Sequence, residues 1–422
     1  MTDLKSLPFY EAVKAVGGEI WQVGGTVRDS MIGKESKDLD ILITGVESWR
    51  LKQILGRFGK VNEVGDSFGI IKFKAPGEEE IDIALPRTET KSGDGHKGFE
   101  VASDPFLPIE QDLERRDFTI NSIARNPEGE IKDPFGGVND IEQKVIRLTN
   151  PKAFSDDPLR MLRAIQFASR FSFSIDPRTF SAIQERAEDI SQISKERVLI
   201  EFEKIVSKGD PQLGAQLLVD SGLYKGIFEK DFTGSFDLFH KVTRLSEFCF
   251  LLISPFTDEP AKFFKENLKG DTSTEKEIAG LTMLVKHDLS DSRSRRWCLN
   301  KILKITSTLA DSEFVKDFLS DEISEFKSGA IPFSISSLPV KGNDLQAIGL
   351  KGKSIGDTFD KILDAIYSDI IPNDKQAALD FAKEEMKKNS LSQNLKALST
   401  SLEALGFSKE ADHIAKLEKT SR

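Results

Sequence analysis

The spacing of apolar residues changes once along this chain of 422 residues, and that change limits what the chain can fold into. Over about the first 145 residues, short β-like runs at 19–23, 39–43, 70–74, 80–85 and 145–148 are punctuated by Gly and Pro. Helical spacing intervenes at 8–16, 26–32 and 48–58, which predicts an α+β unit with a small mixed β-sheet. From about Asp157 onward the spacing is helical throughout, so the remainder is predicted to be all-α. Gly209-Asp210-Pro211, Ser254-Pro255 and the stretch 331–339 break that remainder into consecutive helical units. The predicted divisions are 1–145, 146–210, 211–330, 331–390 and 391–422, the last a helical hairpin turned at Gly406. The Phe-rich stretch 228–264 is read as core.

Composition narrows the function classes. No run of about 18 apolar residues exists, so no membrane partner is expected. The first residues lack the basic-then-apolar pattern of a secretory signal. Cys249 and Cys298 are too few and too isolated for a disulfide framework or a zinc site, and a reducing cytoplasm is the expected compartment. The formal net charge of −10 excludes a polybasic nucleic-acid coat. It does not exclude a local basic track, because phosphate contacts need only a few placed Lys and Arg.

The run Asp38-Leu39-Asp40-Ile41-Leu42-Ile43 carries the most chemistry. In a strand, alternate side chains share a face, so Asp38 and Asp40 point one way while Leu39, Ile41 and Ile43 enter the core. Glu80-Ile81-Asp82-Ile83 repeats the arrangement. Two adjacent strands of this type gather three carboxylates, with Asp82 or Glu80 as the third, into a site for hard cations such as Mg²⁺. Taken alone, such a pattern also describes two solvated acidic strand faces. Just upstream, Gly24-Gly25 makes a tight turn between a strand and a helix opened by Thr26-Val27-Arg28-Asp29. Backbone N–H groups at such a turn receive phosphate, and Arg28 adds a bidentate partner.

Val23-Gly24-Gly25-Thr26-Val27-Arg28-Asp29 followed by Asp38-Leu39-Asp40 resembles the signature of the class II branch of the polymerase-β-like nucleotidyltransferases. Bacterial CCA-adding enzymes and bacterial poly(A) polymerases share that branch. The resemblance implies a nucleotidyltransferase head at 1–145, a nucleobase-selecting neck at 146–210, a helical body at 211–330 and a tRNA-binding tail at 331–390. It places Asp38 and Asp40 at the metal-binding, catalytic positions. Glu114-Arg115-Arg116-Asp117-Phe118-Thr119-Ile120-Asn121 is similar to the family's sugar- and phosphate-binding motif. Arg116 then meets the triphosphate, while Asp117 and Asn121 are suited to ribose hydroxyls. Asp133-Pro134-Phe135-Gly136-Gly137 resembles the link between head and neck and is read as a hinge.

Asp156-Asp157-Pro158-Leu159-Arg160-Met161-Leu162-Arg163 is similar to the motif that selects the incoming base. Asp157 and Arg160, at i and i+3 of a helix expected to start near Ser155, share a face. A carboxylate beside a guanidinium imitates a Watson–Crick edge. Cytosine and adenine each give an amino proton to the acid and accept one from the Arg, whereas uracil and guanine present the reverse. Seen alone, the pair is equally a helix ion pair.

Within the family, Glu63-Val64-Gly65-Asp66-Ser67-Phe68-Gly69 looks like the CCA-adding version, since poly(A) polymerases carry a basic stretch there. Residues 87–96 resemble the flexible loop of full CCA-adding enzymes. The resemblance therefore implies addition of CCA to the tRNA 3′ end from CTP and ATP. The alternatives are partial C or A addition, poly(A) synthesis, or a non-catalytic RNA-binding protein on the same scaffold. Lys351, Lys353 and Lys375 lie in segments resembling the part that grips the tRNA elbow. DNA is not an expected partner, and the oligomeric state is left open. His287-Asp288 lacks the further ligands that a phosphohydrolase site needs.

Overall fold

Ile20, Ile41, Ile43, Ile71, Phe73 and Ile83 recur at alternate strand positions and give the sheet one extensive apolar face. The computed structural model describes residues 3–34, 39–63, 70–91, 99–287, 289–305, 307–332, 334–405 and 407–421. It divides into two units, Met1–Thr272 and Ser273–Arg422.

The first unit begins with α1 (Tyr10–Lys14), β1 (Glu19–Val23), α2 (Gly25–Met31), β2 (Asp40–Thr44) and α3 (Ser48–Leu55). There follow β3 (Lys60–Glu63), β4 (Ile70–Lys74), β5 (Glu80–Ala84), β6 (Arg87–Lys91) and β7 (Phe99–Ser103). Then come α4 (Ile109–Glu114), β8 (Ala124–Arg125), β9 (Ile131–Lys132) and α5 (Gly137–Glu142). Seven strands form one mixed sheet in the order β3-β4-β5-β2-β1-β8-β9. Only β2 and β5 in it run parallel; the other pairs are antiparallel. Phe9, Val13, Leu51 and Leu55 cover the first face, while Ile109 and Leu113 pack against Val23 and Leu42 of the other. Asp40 shares that second face with Leu42, so the acids occupy its open end rather than a wholly solvated surface.

β3 and the β6–β7 ladder were not read from the sequence. Lys60–Glu63 holds a single strongly apolar residue, and its register against β4 supplies what local propensity lacks. Residues 87–91 of the expected flexible loop form β6, and its residues 92–96 lie outside the described residues, as do Asp38 and 64–69.

The helical part runs α6 (Ala153–Asp156), α7 (Leu159–Phe171), α8 (Pro177–Arg186), α9 (Lys195–Lys208), α10 (Pro211–Asp220), α11 (Leu223–Phe228), α12 (Leu245–Ile253) and α13 (Pro260–Asn267). A two-residue parallel pair, β10 (Val145–Ile146) with β11 (Ser174–Ile175), departs from an all-α reading of this part. Asp210 caps α10 by accepting from the N–H groups of Gln212 and Leu213, with Pro211 at the first helical position. Phe228, Phe239, Phe248 and Phe264 are buried, and Phe202–Phe248 and Phe239–Phe248 meet edge-on.

The second unit takes in α14 (Thr272–Lys286) from its second residue onward, then α15 (Ser292–Ile305), α16 (Glu313–Ser328), α17 (Gly342–Ala347), α18 (Lys353–Tyr367), α19 (Lys375–Ala404) and α20 (Ser408–Ser421). Leu345, Ile362, Ile366, Tyr367, Ala378 and Ala382 form its core. The division drawn at 390/391 falls inside continuous α19, and the expected turn residue Gly406 is outside the described residues. Lys351 and Lys353 flank Gly352 at the start of α18, and Lys375 pairs with Asp344 at 2.8 Å. Among the described residues no helix is long and apolar enough to cross a membrane.

The segment read as a hinge is tightly held. Asp133 accepts from the N–H groups of Gly137 (2.7 Å) and Val138 (2.9 Å). A Cβ on Gly137 would stand 2.1 Å from the Thr119 carbonyl oxygen, so glycine serves close packing here. Gly137→Ala is expected to destabilise the protein by about 1–3 kcal/mol in urea unfolding. Unchanged stability would contradict this packing account.

Candidate active site

β1 ends at the Gly24-Gly25 turn, and α2 starts from it. Gly24 has φ 63° and ψ −126°, a region that glycine alone enters freely. A Cβ there would lie 2.5 Å from Arg116 Nη1, so the glycine lets a guanidinium lie across the turn. Thr26 Oγ1 accepts from the Asp40 N–H at 3.1 Å, which ties the start of α2 to the start of β2. Asp40 is in register with Asp82 on the neighbouring parallel strand, so the two carboxylates share a face. Lys72 on β4 donates to Asp82 Oδ1 and Glu80 Oε1, each at 3.1 Å. Of the two candidates for a third carboxylate, Asp82 lies beside Asp40 and lines the cleft, whereas Glu80 does not line it.

The opposite wall follows α4. Asp112, fully buried, accepts from Arg115 Nη2 at 2.6 Å and from Arg116 Nη2 at 3.2 Å. Arg116 Nε is buried without a partner among the described residues. Asp117 is also buried: Oδ1 accepts from Asn121 Nδ2 (2.8 Å) and the Phe118 N–H (2.9 Å). Its Oδ2 accepts from Arg163 Nε (2.9 Å) and Nη2 (2.7 Å). Asn121 Oδ1 accepts from Arg28. Asp117 therefore has two donors on each oxygen, and as placed it is a framework for the cleft with no lone pair left for a ribose hydroxyl. Arg28, expected to face phosphate, is buried and held by Asp29 and Asn121, although it does line the cleft.

The segment expected to select the base differs from its expected form. Pro158 disfavours helical backbone at the residue before it, and Asp157 is extended (φ −141°, ψ 102°). A short helix thus ends at Asp156 and α7 starts at Leu159; no helix runs through from Ser155. Asp157 Oδ1 accepts from the Leu159 N–H (3.1 Å), and Oδ2 accepts from Arg197 Nη2 (2.7 Å) on α9. The i, i+3 ion pair with Arg160 is absent, and the Arg160 guanidinium makes no hydrogen bond or ion pair among the described residues.

These groups line one cleft of about 580 Å³. Gly24, Gly25, Arg28, Asp40, Asp82, Arg116, Asp117, Asn121, Asp157, Arg160 and Arg163 all contribute to it. Sequence reasoning missed Arg87, Arg115, Arg170, Arg197, Lys204 and Lys208 in the same lining. Arg170 was within reach of it: Arg163, Phe167, Arg170 and Phe171 follow helical spacing on α7. Phe167 and Phe171 stack at 5.8 Å, and Arg28, Arg163 and Arg170 lie over their rings at 4.8–5.2 Å. In all, ten Arg and Lys side chains face four Asp. The cleft is a cationic site in an acidic chain.

Residues 20–147 match the family described as Poly A polymerase head domain. Residues 172–232 match that described as Probable RNA and SrmB- binding site of polymerase A. The Multifunctional CCA protein of Xanthomonas campestris pv. campestris (strain B100) is 39% identical over 215 residues, 50% of each chain. That of Xylella fastidiosa (strain M23) is 40% identical over 195 residues, 45% of each. The chain thus spans about half the length of the curated relatives it matches. Among solved structures, the Bacillus stearothermophilus CCA-adding enzyme in complex with CTP aligns with TM-score 0.68 at 23% identity, over 92% of this chain and 99% of that one. The Thermotoga maritima CCA-adding enzyme complexed with tRNA_CCA aligns with TM-score 0.64 at 24% identity, over 89% and 93%. These structural likenesses establish the fold.

Asp117 gives the site a pH signature. Burial alone would raise its carboxyl, but the Arg163 charge and the hydrogen bonds from Asn121 and Arg163 outweigh burial and hold it at about 2, below the ordinary 3.8. A depressed folded-state value stabilises the fold fully above about pH 4, and that stability is lost as pH falls towards 2. Urea unfolding of wild type and Asp117→Asn should therefore differ most above about pH 4, by on the order of 2 kcal/mol, and converge on acidification. A gap that is constant with pH would contradict the ion pair.

Proposed function

We propose that this chain, whose residues 20–147 match a poly(A) polymerase head domain, completes the CCA end of tRNA from CTP and ATP without a nucleic-acid template. The observation that supports the reading is the Asp157 carboxylate, fixed by Arg197 and a backbone N–H, in the same cleft lining as an Arg160 guanidinium that makes no hydrogen bond or ion pair among the described residues. A held acceptor next to an available donor is what a cytosine or adenine edge pairs with, and uracil and guanine present the opposite pattern. In support, the relatives are named Multifunctional CCA protein and the two structural neighbours are CCA-adding enzymes, one in complex with CTP and one with tRNA_CCA.

A nucleotidyltransferase head implies a divalent metal, and the residues fit one. Asp40 and Asp82 are oxygen donors in cross-strand register at the open end of the sheet face. We assign Mg²⁺ to Asp38, Asp40 and Asp82, where it would favour ionisation of the RNA 3′-hydroxyl and neutralise the departing pyrophosphate. The protein's own groups do the rest. The Gly24-Gly25 turn and Arg116 hold the triphosphate, with Arg116 fixed by Asp112, while the buried Arg28 lends its charge to that side of the cleft. Asp117, Asn121 and Arg163 hold the wall against which the sugar lies. The hydroxyl oxygen attacks the α-phosphorus, the bond to pyrophosphate breaks, and the chain grows by one nucleotide. Arg87, Lys204 and Lys208 supply cationic cleft wall for the RNA terminus. Lys351, Lys353 and Lys375 are assigned to the tRNA elbow in a tail at 331–390, with the head at 1–145, the neck at 146–210, the body at 211–330 and the hairpin at 391–422. The cytoplasm, where tRNA is processed, is the assigned compartment.

The test is to sequence the ends of tRNA lacking CCA after incubation with the protein, CTP, ATP and Mg²⁺. Ends completed to CCA are expected. Adenosine tracts would favour poly(A) synthesis, CC or A alone a partial enzyme, and unextended ends a binding protein. Asp40→Ala should abolish C and A incorporation together, because one set of carboxylates serves each addition. Loss of one addition alone would contradict a single site.

A further inference from the structure

Asp29 is buried at 7% exposure and is not part of the cleft lining, yet it holds two guanidiniums that are. Its Oδ1 accepts from Arg28 Nε (2.8 Å) and Nη2 (2.6 Å), and its Oδ2 accepts from Arg170 Nη2 (3.3 Å). Arg28 belongs to α2, directly after the Gly24-Gly25 turn, whereas Arg170 belongs to α7, the helix that carries Arg160 and Arg163. Both guanidiniums lie over the Phe171 ring at 4.8 Å. A single carboxylate and a single ring therefore fix two cations, one of them from a segment 141 positions beyond the acid in sequence. Without the acid, two like charges would share one aromatic face and repel, and each would lose its directional partner.

We propose that Asp29 is a positioning residue for nucleoside triphosphate binding, setting Arg28 and Arg170 so that the phosphate side and the base-reading helix of the cleft present one arranged set of donors. The inference rests on the nucleotidyltransferase reading above. Charge alone makes the opposite forecast: removing an acid beside a polyanion site should tighten binding. Asp29→Asn keeps the shape, removes the charge and cannot accept from both arginines as the carboxylate does.

The experiment is isothermal titration of CTP and ATP into the full chain without RNA, on wild type, Asp29→Asn, Arg170→Ala and the double variant, with thermal unfolding alongside. Asp29→Asn is expected to weaken both nucleotides about tenfold while melting above the titration temperature. Arg170→Ala should weaken them similarly, and the double variant should be little worse than either single one, since both remove the same arrangement. Unchanged or tighter binding by folded Asp29→Asn, or full additivity, overturns the proposal. If Asp29→Asn does not fold, Arg170→Ala decides: its side chain is 22% exposed, and wild-type affinity in that variant overturns the proposal equally. A wild-type chain that binds neither nucleotide removes the functional reading and this inference together, an outcome distinct from a wild type that binds and a variant that binds as well.

Discussion

The buried Asp117 carboxylate, with two donors on each oxygen, is the contact around which the cleft is organised. It sits just beyond α4, yet half its hydrogen bonds come from Arg163 on α7, 46 residues later. A buried acid without such partners would be prohibitively costly, and breaking a buried pair of this kind typically costs about 3–5 kcal/mol. The sheet-side wall and α7 are therefore held by the same ionic contact. The chain of contacts continues through Asn121 to Arg28 and Asp29, and it returns to α7 at Arg170.

This arrangement reconciles an acidic protein with the polyanionic substrate proposed for it. The formal charge of −10 is a property of the whole surface, whereas the cleft concentrates ten cationic side chains. Asp29, Asp112 and Asp117 are buried among them. They orient guanidiniums, so the donors that remain are already aimed before any ligand enters. Preorganisation of this kind avoids the entropy of ordering long side chains on binding.

Much of the site was legible because it obeys local rules. Alternation put Asp40 and Asp82 on one face, and the strand–Gly-Gly–helix pattern located the turn that Arg116 crosses. Where reasoning stopped, the determinant was long-range. Arg197 lies 40 residues beyond Asp157, and nothing in its own segment indicates which acid it meets. Register alone separates Asp82 from Glu80. The break at Asp157 was readable, since Pro158 restricts the residue before it; the continuous-helix reading gave that rule too little weight. In the fold, β3 and the β6–β7 ladder escaped notice because their pairing partners, rather than their own residues, make them strands. The contrast is the Asp210-Pro211 cap, where a cap residue followed by Pro marks a helix start within a few positions.

The central claim is that base choice resides in protein side chains, an acceptor held at Asp157 and an available donor at Arg160. The most direct measurement is kcat/KM for CTP, ATP, UTP and GTP with Arg160→Ala, on tRNA ending at each stage of the CCA sequence. Loss of one hydrogen-bonding partner is worth about 1–3 kcal/mol, so the preference for CTP and ATP should fall roughly ten- to a hundred-fold, with residual selection left to Asp157. A common slowing of all four nucleotides, with the preference intact, would contradict the account and reduce Arg160 to a structural residue of α7.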